Sequence, residues 1–149
     1  MKSTAAEVAA TIVHACNVRN SDVSNLKLQK FLYYCEAWHL ALNDESLFLE
    51  ALEAWVHGPV VAKVFHDYKN NRWSPIREAN TEPSDNSEVL EHVDLVLDAY
   101  GSFGATELER LTHQEHPWLE ARGGLPPDAP SRNPISRRTM KEYYSSLIA

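Results

Sequence analysis

The run SNLKLQKFLYYCEAWHLAL, residues 24–42, constrains the fold more than any other part of the chain. Leu28, Phe31, Leu32, Cys35, Trp38, His39 and Leu42 recur at spacings of three and four, which places them on one stripe of a helix. Tyr33 and Leu40 fall on another side, and Ala37 and Ala41 are small enough to admit a close neighbour. Gln29, Lys30 and Glu36 are the main polar interruptions. A helix that is apolar on more than one side must be covered on more than one side. The expectation is a central helix over 24–42, capped by the Ser24 hydroxyl, which can accept from backbone N–H groups of the first turn.

The flanking sequence supplies what would cover it. Residues 4–17 read as a first helix, with Thr4 and Glu7 at capping-box spacing and Val8, Ala9, Ile12, Val13 and Cys16 facing inward. Alternation through Leu52, Ala54 and Val56 predicts a short strand near 51–57, with a helix the alternative for 47–54. Gly58-Pro59 then breaks the chain, Pro59 suiting the first position of a helix that carries Val60, Val61, Val64, Phe65 and Tyr68. Residues 72–87 are irregular, and 73–77 offer a second strand. Asp85 and Glu88 mark the start of a helix with Val89, Val93, Val96, Leu97 and Tyr100 inward, stopped by Gly101. Shorter helices follow over 105–112 and from His116 to Gly123-Gly124, with Phe103 packing back on the first of them. The run LPPDAPSRNP is a connection pinned over the surface, and Ser136 caps a last helix with Met140, Tyr143, Tyr144, Leu147 and Ile148. The predicted class is mainly α with a minor β part: a compact helical domain around helix 24–42, with a two-strand element near 51–57 and 73–77.

At 149 residues the chain can bury most of one core, so a single domain over 1–149 is expected. No basic leader with an apolar run precedes it, no apolar run approaches the ~20 residues a bilayer span needs, and Cys16 and Cys35 lie on apolar stripes. The cytoplasm is the compartment these features favour. A net charge of −7 argues against nucleic acid as the partner. That charge is uneven: residues 78–98 carry seven carboxylates and no lysine or arginine, whereas Arg132, Arg137, Arg138 and Lys141 make the tail basic. Such an acidic run is ordinarily a solvated face; where it binds, it favours a basic partner.

No catalytic constellation stands out. His113 and His116, with Glu115 between them, can present two ligands on one turn, but zinc needs three or four. The others would have to come from His57, His66 or His92, at no recognisable spacing. A metal-dependent hydrolase using His113 and His116 is the alternative from a different class. Cys35 lies mid-helix on a buried face, and no nucleophile elbow, phosphate loop or dinucleotide fingerprint occurs. No catalytic residue, metal or cofactor is expected. Four tryptophans and six tyrosines point instead to an interaction protein.

Leu26-Lys27-Leu28-Gln29-Lys30, Leu32-Tyr33-Tyr34 and Trp38-His39 begin a series of short motifs. It continues through Glu53-Ala54-Trp55, Gly58-Pro59-Val60, Tyr100-Gly101 and Leu111-Thr112-His113, then Glu115, Pro117-Trp118 and Ala121-Arg122, and ends with Met140 and Tyr143-Tyr144. In this order the series resembles the Panacea-domain antitoxins, the group of phage-associated GepA-like and SocA-like proteins. His57 and Phe65 depart from the residues common there. The resemblance implies an antitoxin of a toxin–antitoxin system that neutralises a protein toxin, encoded by an adjacent gene, through direct binding. It also implies an alternative, an adaptor handing the toxin to a cytoplasmic AAA+ protease; the tail 132–149, basic and following the proline-rich run, is then a candidate for the unfoldase to grip. Neither nucleic acid nor membrane is implied as a partner. The expected partner-binding residues are Lys30, Tyr33, Tyr34, His57, Trp118 and Arg122. Of these, Tyr33, Tyr34, His57 and Arg122 are expected to share one patch supported by Trp38 and Trp55, with Lys30, Tyr33 and Tyr34 accessible.

Overall fold

A computed structural model describes residues 2–71 and 73–148. In chain order the elements are α1 (Ala5–Val18), α2 (Asn25–Asn43), β1 (Glu53–Trp55), β2 (Gly58–Val60) and α3 (Ala62–Asp67). After a 3-10 turn at Lys69–Asn71 come α4 (Ser87–Tyr100), α5 (Ala105–His113), α6 (His116–Arg122) and α7 (Arg137–Ser145).

Helix α2 is the centre that its sequence predicts. It packs against α1, α3, α4, α5, α7 and β2, and Leu28, Phe31, Leu32, Cys35 and Ala37 are all buried. Ser24 caps it, accepting from the Lys27 N–H at 3.3 Å. Its buried polar groups are each bonded, as burial requires. Gln29 donates to Asn25 Oδ1 at 3.0 Å and accepts from the Val61 N–H at 3.0 Å, while Asn25 donates to the Phe65 carbonyl at 2.9 Å. Glu36, fully buried, accepts from the Leu47 N–H at 2.7 Å and from Arg137 Nε at 2.6 Å. Arg137 also donates to the carbonyls of Phe48 (3.0 Å) and Glu50 (2.7 Å), so one guanidinium ties α7 to α2 and to the loop beyond it.

Thr4 and Glu7 form the expected capping box on α1, and Ser136 caps α7. The α4 cap differs: Asn86, not Asp85, accepts from the Glu88 N–H at 2.9 Å.

The second strand lies elsewhere than expected. Residues 73–77 form no strand, and Arg72, which opens the irregular segment, lies outside the described residues. Ile76 is buried there, but its N–H bonds the Val23 carbonyl ahead of α2 at 2.8 Å. The partner of β1 is β2, antiparallel, with Trp55 opposite Gly58 and Glu53 opposite Val60. Pro59 is therefore a strand residue, and α3 begins three positions later behind Val61. A two-residue link, Val56-His57, is short enough to fold the strand back on itself, the commonest way to pair neighbours. Residues 133–135 brace the other edge: the Ala54 N–H bonds Asn133 O at 2.8 Å and the Ile135 N–H bonds Leu52 O at 2.7 Å. The proline-rich run is thus pinned as predicted. The basic tail is docked too, with Met140 and Tyr144 fully buried; Ala149, its last residue, lies outside the described residues.

Candidate partner-binding site

The β1–β2 turn is held from below by side chains the sequence had offered as contacts. Gly58 has φ +114°, and a Cβ there would stand 2.7 Å from Lys30 Cε and 3.0 Å from Thr112 Oγ1. Only glycine accepts both the left-handed backbone and that approach. Lys30 is 1% exposed, against the accessible position expected for it, and among the described residues its ammonium donates only to Leu26 O, at 3.5 Å. Burial holds it down to about 8, and the Glu109 carboxylate partly offsets this.

From the other side, Trp118 Nε1 donates to the Trp55 carbonyl at 3.0 Å. Arg122 donates to Ala54 O at 3.4 Å and Pro126 O at 2.7 Å, with its guanidinium 5.1 Å over the Trp118 ring. His113 also stacks on that indole, with ring centroids 4.0 Å apart, and burial lowers its basicity. Trp118 and Arg122 are both buried. His57 alone of the six expected residues is exposed, its Nδ1 2.8 Å from Glu109 Oε1.

A cleft of about 210 Å³ opens beside this pair, lined by Leu26, Lys30, His57, Trp73, Thr106 and Glu109. Trp73 and Glu109 belong to it without having been singled out from sequence. Trp73, 77% exposed, had a usable signal: a tryptophan outside every amphipathic stripe. The pairing of Glu109 with His57, 52 positions away, had none.

Tyr33 and Tyr34 go elsewhere. Both are fully buried, so the expectation of accessible tyrosines is corrected. Helix α7 covers them: Tyr144 OH donates to Glu115 Oε1 at 2.5 Å and lies 3.3 Å from Tyr33 OH, and Tyr34 OH reaches Glu115 Oε2 at 3.4 Å. Tyr34 stacks on Tyr100 at 3.9 Å, and Trp38 Nε1 donates to Tyr100 OH at 2.9 Å. Burial pushes the Glu115 carboxyl up to about 7, with the hydroxyl donors pulling the other way. Trp38 therefore braces the tyrosines, whereas Trp55 packs edge-on against Phe65 at 5.1 Å beside the turn. The expected single patch is two separate constructions.

The histidine pair does not converge. His113 is held against Trp118, while exposed His116 faces Glu120 at 3.5 Å. Among the described residues no group of three or more His, Cys, Asp or Glu side chains is placed to share a metal ion. Among them, too, no helix is long and apolar enough to cross a membrane.

The family model for the SocA-like antitoxins with a Panacea domain matches residues 28–119. This chain belongs to that family. No curated protein and no solved structure matches it. The Panacea match runs from within α2 to within α6 and so contains the turn, the cleft residues from Lys30 onward and Glu115. Helices α1 and α7, together with Arg122, lie outside it. The antitoxin-like domain is thus completed by a helix that supplies both Arg137 to Glu36 and Tyr144 to Glu115.

Proposed function

We propose that this chain neutralises a protein toxin, encoded by an adjacent gene, by binding it directly, and that the Val56-His57 turn and the cleft beside it are part of the contact. Membership of the antitoxin family carries the first half. The second half rests on one observation: an exposed histidine and an exposed tryptophan flank a turn whose backbone is fixed by Gly58, Trp118 and Arg122. A fixed turn loses little conformational freedom on binding, so more of its contact energy becomes affinity. In this reading His57 and Trp73 touch the partner. Lys30, Trp118 and Arg122 position the turn, and Tyr33 and Tyr34 hold the frame. The activity is binding without catalysis. It takes place in the cytoplasm, where thiols such as the unpaired, buried Cys16 and Cys35 stay reduced.

Co-expression with the neighbouring gene product tests the reading. Growth should be restored and the two proteins should co-purify; a non-toxic neighbour, or a toxic one that this chain neither rescues nor binds, overturns it. His57→Ala together with Trp73→Ala should weaken the complex at least tenfold while leaving the melting temperature within about 2 °C, since surface substitutions cost little stability.

A further inference from the structure

Among the large apolar side chains left exposed once the core is built, two leucines line one groove. Leu42 at the end of α2 is 48% exposed and Leu95 on α4 is 53% exposed, and they face each other across a groove. Leu95 lies off the buried stripe of Val89, Val93, Val96 and Leu97, so core packing does not account for it. Trp38, Val96, Ala99 and Tyr100 complete the groove, about 220 Å³ of space with an almost wholly apolar lining.

The same two leucines also border a larger, polar cleft of about 640 Å³, where Glu45, Glu88 and Glu91 are exposed and, among the described residues, no lysine or arginine is part of the lining. Lys2 reaches one of these carboxylates, Glu45, at 3.8 Å. Along α4, Glu91 and Glu88 stand one and two turns ahead of Leu95, or roughly 6 and 10 Å at 1.5 Å per residue. Leu26 in the His57 cleft and Trp38 here are twelve positions apart on α2, roughly 18 Å, so the two surfaces are distinct.

We infer that the groove between α2 and α4 seats an amphipathic helix of a protein partner. Its large apolar side chain fills the space between Leu42 and Leu95, and its lysines or arginines, one and two turns away, meet Glu91 and Glu88. Charge complementarity selects this occupant. A second copy apposing its own α4 would bring Glu88 and Glu91, and no lysine or arginine of that helix, against the same surface. An anionic membrane is repelled for the same reason. This surface is independent of the turn and of the toxin assigned to it, so either can fail alone.

The test uses the full chain and two fluorescein-labelled synthetic helical peptides that share one leucine-rich apolar stripe, flanked in one by lysines and in the other by glutamates. Anisotropy should show the lysine peptide binding at least tenfold more tightly, with affinity falling as salt rises. Amide shifts on titration should concentrate in residues 38–45 and 88–100. Glu88→Lys with Glu91→Lys, and separately Leu42→Ala with Leu95→Ala, should each weaken binding at least tenfold at unchanged melting temperature. Equal affinity for the two peptides, absence of binding, or shifts centred on the His57 turn would overturn the inference. So would a dimer of the chain alone, seen by sedimentation, that Leu95→Ala disperses.

Discussion

The Lys30 ammonium, lodged under Gly58 with one long hydrogen bond, is charged at neutral pH at some cost. Its folded value, about 8, lies below the ordinary 10.5. Its contribution to stability is therefore full above pH 10.5 and is lost as pH falls through 8. Lys30→Met keeps the stem and removes the charge, so unfolding by urea at pH 7.5 should show a gain on the order of 2 kcal/mol that disappears near pH 10.5. A loss at pH 7.5 would mean that the ammonium is held better than its single bond suggests. Glu115 runs the other way. Raised from 4.5 to about 7 by burial among tyrosines, it stabilises fully below pH 4.5 and loses that contribution as pH rises through 7. Glu115→Gln, which can still accept from Tyr144, should match the parent at pH 4 and exceed it by up to ~3 kcal/mol at pH 8. Unfolding curves at the two pH values decide it.

The hairpin and α7 are the elements on which the site depends most. Gly58→Ala forces a left-handed alanine into Lys30, and should cost roughly 1–3 kcal/mol. Lys30→Ala in the same chain should return part of it, because one clash is relieved while the backbone strain stays; full additivity would show that the two do not touch. Arg137→Ala strands the Glu36 carboxylate and should cost ~3 kcal/mol, with α7 becoming the first segment cut in limited proteolysis. These two elements also show what sequence reveals and what it hides. Caps at Thr4, Ser24 and Ser136 were legible because hydroxyl, N–H and helix start lie within four residues. Strand β2 was not: Gly58-Pro59 has the same signature before a helix as within a turn, and what decides is the pairing with 53–55 and the brace from 133–135. Nor was the burial of Lys30, Tyr33 and Tyr34. Periodicity shows which faces of a helix are apolar, but not that neighbours cover the remaining ones, and here α5 and α7 do so from more than about 70 positions away.

Taken whole, the protein hangs six elements on α2, and those elements also pack on one another, α1 on α4 and α6 on both α7 and β1. Unfolding should accordingly be one event: tryptophan fluorescence, which samples buried Trp118 and half-buried Trp38, and far-ultraviolet dichroism should give superimposable transitions. Two separated transitions would indicate that α1 with α4 survives the loss of the rest. The acidic α4 and the basic α7 both pack on α2, and the turn with its His57 and Trp73 lies toward the opposite end of α2 from the groove with Leu42 and Leu95.

Helix α7 closes over Tyr33, Tyr34 and Glu36 from a position more than 100 residues downstream. During synthesis those three groups stay uncovered until the ribosome has released the segment around Tyr144, well after the Panacea region has emerged. A stop codon or frameshift between residues 120 and 136 therefore leaves a chain with its whole family signature and an open core. Protection against a toxin, on this account, begins only once the segment that follows the family region has been translated as well.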